Sequence, residues 1–171
     1  FAAQYFDVEP DMITCAKGLT SGTIPMGAVI VKKEIYDAYQ DGDANSIDLF
    51  HGYTYSAHPM AAAALISSLD VYTEDNLFER TNELASYWED ALHSLKGTSH
   101  VIDIRNLGLV AGIEMSPREG SPGTRGYDVF TDGFHNHNLL LRITGDTLAL
   151  SPPLIVEKDH IDQIVETLKV I

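Results

Sequence analysis

Apolar residues recur along this chain at helical spacing in some stretches and in short bounded runs in others, and the alternation marks its elements. The clearest series is Leu77, Thr81, Leu84, Trp88, Ala91 and Leu95, at spacings of three and four. It predicts a helix over residues 73–96, with Thr73 as its cap, Glu74 and Asp75 at the positive end of its dipole, and Lys96–Gly97 at its close. A second face, Ile161, Ile164, Val165 and Leu168, predicts a last helix over 158–171. Shorter helices are expected at 32–40, from Pro59 to about Tyr72, and from Tyr127 to about Asn136. Proline suits a first helical turn, and the run Ala61 to Ala64 behind Pro59 leaves room for a neighbouring backbone to come close.

Short apolar runs bounded by Gly, Pro, Ser and Asp predict strands. They cover residues 12–16, 27–31, 100–105 and 109–115, the last pair joined by a turn at 106–108. Two more, 139–142 and 147–151, flank a turn at 144–146. Residues 18–27 are rich in Gly, Ser, Thr and Pro and are expected to be loop. The order gives an α/β reading in three parts: a strand–helix remnant over 1–72, a connecting helix over 73–96, and a compact α+β domain over 97–171.

Composition narrows the partners. Apolar residues make up 44% of the 171, enough for a buried core. With 11 Lys and Arg against 25 Asp and Glu, the net charge of −14 repels phosphate backbones, so nucleic acid is not an expected partner. No apolar run approaches the length of a membrane span, so no membrane partner is expected. One cysteine, Cys15, excludes an intrachain disulfide framework and fits a reducing compartment, which gives a cytoplasmic expectation. Opening on Phe1 and running straight into "FAAQYFDVEPD", the chain is expected to be a piece of a longer protein.

The chemistry-bearing candidate is Lys17, set between Ala16 and Gly18 where an apolar run meets a glycine-rich turn. Small neighbours leave room beside its amine, and a lysine amine becomes a nucleophile when its surroundings favour the neutral form. Spacing alone favours a solvated lysine at a strand end. Cys15 has the pattern of a small buried residue with no activating neighbour. His135 and His137, two apart on an expected helix, do not share a face, so no metal site is expected. His51 and His58 are expected to be structural.

The words around Lys17 carry more than its spacing. Ala16–Lys17, then Gly22, Pro25, Gly27 and Ala28, resemble the cofactor-lysine segment of the class III (ω-amino acid) aminotransferases, with their Gly-x-x-Pro-x-Gly-Ala pattern. "HGYTYSAHP" (51–59), opening a helix of small residues, resembles the family's following Gly-x-Thr element. "VIDIRNLGLVAGIEM" (101–115) and "LLLRITGDTLALSPPLIV" (139–156) match in the same order, and the likeness is greatest to the β-alanine:pyruvate branch.

That resemblance implies a fold-type I pyridoxal-phosphate-dependent transferase, represented by the C-terminal part of its large domain and its small C-terminal domain. It implies pyridoxal 5′-phosphate as cofactor, with Lys17 as the Schiff-base lysine and proton carrier. Thr54 matches the phosphate-binding threonine, which in the family reaches the neighbouring subunit's cofactor. A homodimer or a dimer of dimers is therefore implied. Without the resemblance Thr54 is a turn or helix-entry residue. Tyr53 beside it, like Tyr55, could line the phosphate or simply pack.

Arg142 matches the arginine that grips the substrate carboxylate, a task its planar fork suits. The alternative is an exposed strand-end arginine paired with Asp146. Amino donor and keto acid acceptor are implied as small-molecule partners, with transfer from an ω-amino acid or amine to pyruvate. Relatives that use 2-oxoglutarate (ornithine or GABA type), an aminomutase, and a truncated non-catalytic dimerisation domain are the competing expectations. Further cofactor contacts of the family precede the lysine and fall outside this sequence, so the 171 residues alone are expected to be inactive.

Overall fold

The computed structural model describes residues 1–47 and 49–171 and divides them into two compact units, Phe1–Asp75 and Asn76–Ile171.

In the first unit a short helix α1 (Ala2–Tyr5) leads into strand β1 (Met12–Ala16), which pairs antiparallel with β2 (Gly27–Val31) in the register Met12↔Val31 to Ala16↔Gly27. The connection begins as a 3₁₀ turn, Lys17–Thr20. Helix α2 (Lys33–Gln40) follows directly, and its entry is tied back by Lys32, whose amine lies 3.1 Å from Asp11 and 3.4 Å from Glu9. Helix α3 (Pro59–Glu74) starts where the sequence places it. Pro59 needs no N–H in a first turn, and the His58 ring nitrogen accepts from the Met60 N–H at 3.2 Å as the cap.

Only small side chains of α3, Ala61 and Ser68, are buried among its described residues, while Met60, Ile66, Leu69 and Val71 stay exposed. Val29 and Ile30 of β2 are exposed as well. Among the described residues of this unit no large apolar side chain is buried. A two-stranded ribbon of this kind has little stability of its own.

The second unit holds the hydrophobic core. Helix α4 (Leu77–His93) buries Leu84, Trp88 and Leu92. Strands β3 (Val101–Leu107), β4 (Val110–Met115), β5 (Arg142–Thr144) and β6 (Thr147–Leu150) form an antiparallel sheet in the order β3-β4-β6-β5. Alternate residues Ala111, Ile113 and Met115 point into the core, and Leu148 and Leu150 do so from β6. Ile113 sits opposite both Ile104 and Leu148, which locks the register of three strands. Helices α5 (Thr124–His137) and α6 (Lys158–Val170) complete the unit. Trp88, Leu92, Leu95, Ile113 and Ile161 are sealed from solvent, and each such side chain contributes about 1.5–3 kcal/mol by leaving water. Arg80 joins α4 to the segment before α6 by donating to the Val156 carbonyl at 2.7 Å, and the Tyr87 hydroxyl donates to Asp162 at 2.6 Å.

Some expectations shift. Thr73 does not cap α4: it lies inside α3, where its hydroxyl donates to the Leu69 carbonyl at 2.9 Å. Glu74 ends α3 and Asp75 follows it as the C-cap. The break between the helices is Asn76, which takes a left-handed φ of 48°, a conformation asparagine tolerates better than most residues. The helix read as a connector contributes its buried face to the second core. Leu139 to Leu141 are not strand, and β5 starts at Arg142 rather than ending there. Helix α5 begins three residues before Tyr127, because Asp146 supplies from a distance the cap that the local sequence lacks.

Candidate functional site

β1 ends on Ala16, and the chain then turns abruptly: Lys17 has φ 58° and Ser21 φ 50°, both left-handed, followed by Gly22 at φ 74°. For a residue with a Cβ that conformation costs on the order of 1–2 kcal/mol, so the surroundings must hold it. They do so with hydroxyls. Thr20, 2% exposed, donates to the Ile24 carbonyl at 2.6 Å, and Thr23 donates to the Thr20 carbonyl at 2.7 Å. From α3 the Tyr72 hydroxyl donates to the Gly18 carbonyl at 2.6 Å, and Ser68 meets Ser21 at 3.3 Å, hydroxyl to hydroxyl.

The Lys17 side chain is exposed, and its amine has no hydrogen-bond or ion-pair partner among the described residues. The turn is thus rigidly braced while the amine it carries is uncommitted.

Thr54 lies in a turn just before α3, exposed, its hydroxyl without a partner among the described residues. The turn is closed by the Ser56 N–H donating to the Tyr53 carbonyl at 2.9 Å, and by the Tyr53 N–H donating to the Ser56 hydroxyl at 3.2 Å. Tyr53 and Tyr55 are exposed and line, with Pro25–Gly27, His58 and Ala61, a cleft of about 450 Å³. The chain after the lysine and the chain around the threonine therefore meet at this cleft, and Ala61 is small enough to form part of its wall. An uncommitted amine suits an aldehyde and an exposed hydroxyl suits a phosphate, so these donor types fit a phosphorylated aldehyde, the chemical form of the cofactor implied above. Of the first turn's histidines, His58 caps α3 and His51 packs edge-on to Tyr53 at 5.3 Å.

Arg142 belongs to the second unit. It opens β5, is exposed, and lines a cleft of about 700 Å³ walled by Leu139, Leu140, Val110, Ala149 and Pro152. Its pairing with Asp146 does not occur. The Asp146 carboxylate accepts from the Gly123 N–H at 2.6 Å and the Gly126 N–H at 3.0 Å, capping α5. Arg142 has no ion pair among the described residues, so its guanidinium is open to a ligand carboxylate.

Backbone hydrogen bonds from Gly123 and then Gly126 hold the Asp146 carboxyl below its ordinary value of 3.8. A folded-state value below the unfolded one adds stability that is fully present above pH 3.8 and is lost as the pH falls through the lowered value. Asp146→Ala is therefore expected to unfold at lower urea than the parent at pH 7, with the gap closing well below pH 3.8. Urea titrations at both pH values measure this, and a gap independent of pH would assign the effect to packing.

Residues absent from the sequence reading are Ser68, Tyr72 and Asp146 in these roles. The spacing of Ser68 and Tyr72, four apart on one helical face, is the one local hint of the first two. Among the described residues no group of three or more His, Cys, Asp and Glu is placed to hold a metal ion, and no helix is long and apolar enough to cross a membrane.

The sequence model of the family described as "Aminotransferase class-III" matches residues 1–171. An omega-aminotransferase of Caulobacter vibrioides is 57% identical over 169 residues, covering 99% of this chain and 38% of its own length. A beta-alanine--pyruvate aminotransferase of Pseudomonas aeruginosa is 41% identical over 170 residues, covering 96% of this chain and 37% of its own. Among solved structures, a thermostable (S)-enantioselective omega-transaminase from Thermomicrobium roseum superposes with a TM-score of 0.89 at 28% identity, over 99% of this chain and 38% of that one. This chain spans a little over a third of the length of these relatives.

Proposed function

This chain belongs to the class III aminotransferases, and from that premise we propose that the whole protein moves an amino group from an ω-amino acid such as β-alanine, or from an amine, to pyruvate. Pyridoxal 5′-phosphate is the cofactor of this reading. The observation that carries it is the uncommitted Lys17 amine on a left-handed, hydroxyl-braced turn. The names of the two relatives above, an omega-aminotransferase and a beta-alanine--pyruvate aminotransferase, support the choice of substrates.

When bound, the cofactor supplies an electron sink for charge that develops at the substrate carbon. Lys17 would hold the cofactor and, once free, its nitrogen would take the proton from the substrate carbon and hand it to the cofactor's C4′, which leaves the amine neutral again. The Thr54 hydroxyl and the neighbouring backbone amides donate to the phosphate, with Tyr53 alongside. In this reading the phosphate belongs to a second copy of the chain, which makes the protein a homodimer or a dimer of dimers. Arg142 binds the carboxylate of the keto acid with two parallel N–H donors.

The Arg142 role is separable from the rest. Arg142→Ala in the whole protein is expected to raise the KM for pyruvate about 10- to 100-fold, the worth of a lost charged hydrogen-bond pair at an exposed site. The KM for an uncharged amine donor is expected to stay within about twofold. Steady-state kinetics with each substrate varied in turn decides it. An unchanged pyruvate KM would remove Arg142 from the site and leave the keto acid open.

A further inference from the structure

We propose that Tyr72 and Ser68 are positioning residues for Lys17: one face of α3 fixes the backbone that follows the lysine and thereby sets where its amine stands. The inference rests on the reading of Lys17 as the amine that carries the cofactor.

Three observations converge. The peptide after Gly18, one residue beyond the lysine, is held at one atom from two directions, because the Gly18 carbonyl accepts from the Tyr72 hydroxyl at 2.6 Å and from the Ser21 N–H at 3.3 Å. Ser21, itself left-handed at φ 50°, is held a second time by the buried Ser68, hydroxyl to hydroxyl. Tyr72 and Ser68 stand four residues apart, on one face of one helix, so a single rigid element grips both ends of the turn. Gly18 fits this geometry closely: a methyl group there would stand 3.2 Å from the tyrosine oxygen, so the hydroxyl would have to give by a few tenths of an ångström.

The turn also contains what it would need to be stable in another shape. Its left-handed residues, Lys17 and Ser21, both carry side chains, for which that conformation is unfavourable. Without the Tyr72 hydroxyl the Gly18 carbonyl loses the shorter of its two donors, which lowers the cost of relaxing the backbone beside Lys17 toward ordinary angles. Fold stability alone does not call for this arrangement. A helix and a hairpin can pack through apolar contacts, whereas here the buried contact residue is a serine and the short bond goes to the carbonyl next to the lysine.

The test uses the whole protein stripped of cofactor. Wild type and Tyr72→Phe, which keeps the ring, are labelled with trace formaldehyde and cyanoborohydride, and methylation of Lys17 is read by mass spectrometry against Lys33. Amide hydrogen exchange is followed over residues 18–22. The expected result is a change of about threefold or more in the relative labelling of Lys17, with about tenfold faster exchange in the turn, the size set by one ordinary hydrogen bond. With cofactor and substrates, kcat is expected to fall about tenfold while the donor KM stays within twofold, as for a misplaced reacting group.

Ser68→Ala, read the same way, is expected to move both readouts in the same direction by less, and it keeps the test open if Tyr72→Phe folds poorly. Unchanged labelling and exchange in both variants overturns the proposal, even if activity falls. A Lys17→Ala enzyme that retained turnover would sink the functional reading and leave the labelling result standing, so the two failures are distinguishable.

Discussion

Replacing Lys17 by alanine in the whole protein is expected to lower turnover by at least about a thousandfold, within the range that a positioned acid–base group contributes. The reason is that the same nitrogen serves twice in the proposed reaction, as the cofactor's attachment and as the proton carrier, and nothing else among the described residues of the turn is basic. Lys17→Arg is expected to fare no better. It keeps the positive charge and most of the length, but guanidinium does not give up its proton at neutral pH. Neither variant should unfold: the side chain is exposed and unpaired, and the left-handed backbone is held by Tyr72, Ser68 and Thr20, which remain. Pyruvate consumption with an amine donor, alongside circular dichroism, separates loss of chemistry from loss of fold. Normal turnover in Lys17→Ala would remove the lysine from the mechanism and with it the proposed reaction.

Gly126→Ala is expected to destabilise the second unit by about 3 kcal/mol, at the upper end of what overpacking usually costs. Local reasoning gives the opposite sign, since alanine is favoured over glycine inside a helix by about 1 kcal/mol. Tertiary contact wins here. A Cβ at position 126 would stand 2.2 Å from the Gly145 carbonyl oxygen and 3.1 Å from the Asp146 Cα, both backbone atoms that cannot swing aside. Moving the turn would also pull the Asp146 carboxylate from the Gly123 and Gly126 amides it accepts from. Helix, turn and cap therefore fail together.

Urea unfolding of the chain read by Trp88, its single tryptophan and part of that unit's core, measures the loss. Gly133→Ala in the same helix is the comparison. Its Cβ would come no closer than 3.2 Å, to the Leu139 carbonyl, and a smaller loss is expected. A Gly126→Ala midpoint equal to the parent's would show that the turn yields without cost.

Much of the fold was legible because the deciding information is local. The spacing of Leu84, Trp88 and Leu95 names the buried face of α4 and of the turn that follows it, and all three are buried. Pro59 with the alanines behind it marks the start of α3, and the turn near Gly108 marks the β3–β4 hairpin. Lys17, Thr54 and Arg142 all stood out by the likeness of their surrounding words to the family's segments. What local pattern could not settle was allegiance. Thr73, Glu74 and Asp75 look like the start of one helix and are the end of another, since the same residue types suit both roles and only the left-handed Asn76 separates them. Asp146 looked like a partner for nearby Arg142, yet two backbone amides 20 and 23 positions earlier hold its carboxylate instead.

By itself, then, the sequence marked most of the longer helices and strands but not all their ends, and it determined which residues could carry chemistry and which family the chain resembles, because hydrophobic period and short motifs are properties of neighbours along the chain. The tertiary structure alone decided how the lysine is held and where a side chain cannot fit. The bonds from Tyr72 to Gly18 and from Ser68 to Ser21 join residues 54 and 47 positions apart, and the approach of Gly126 to Gly145 is a meeting of two backbones. Contacts of that reach leave no period in the chain; they exist only once folding has closed the loops between them.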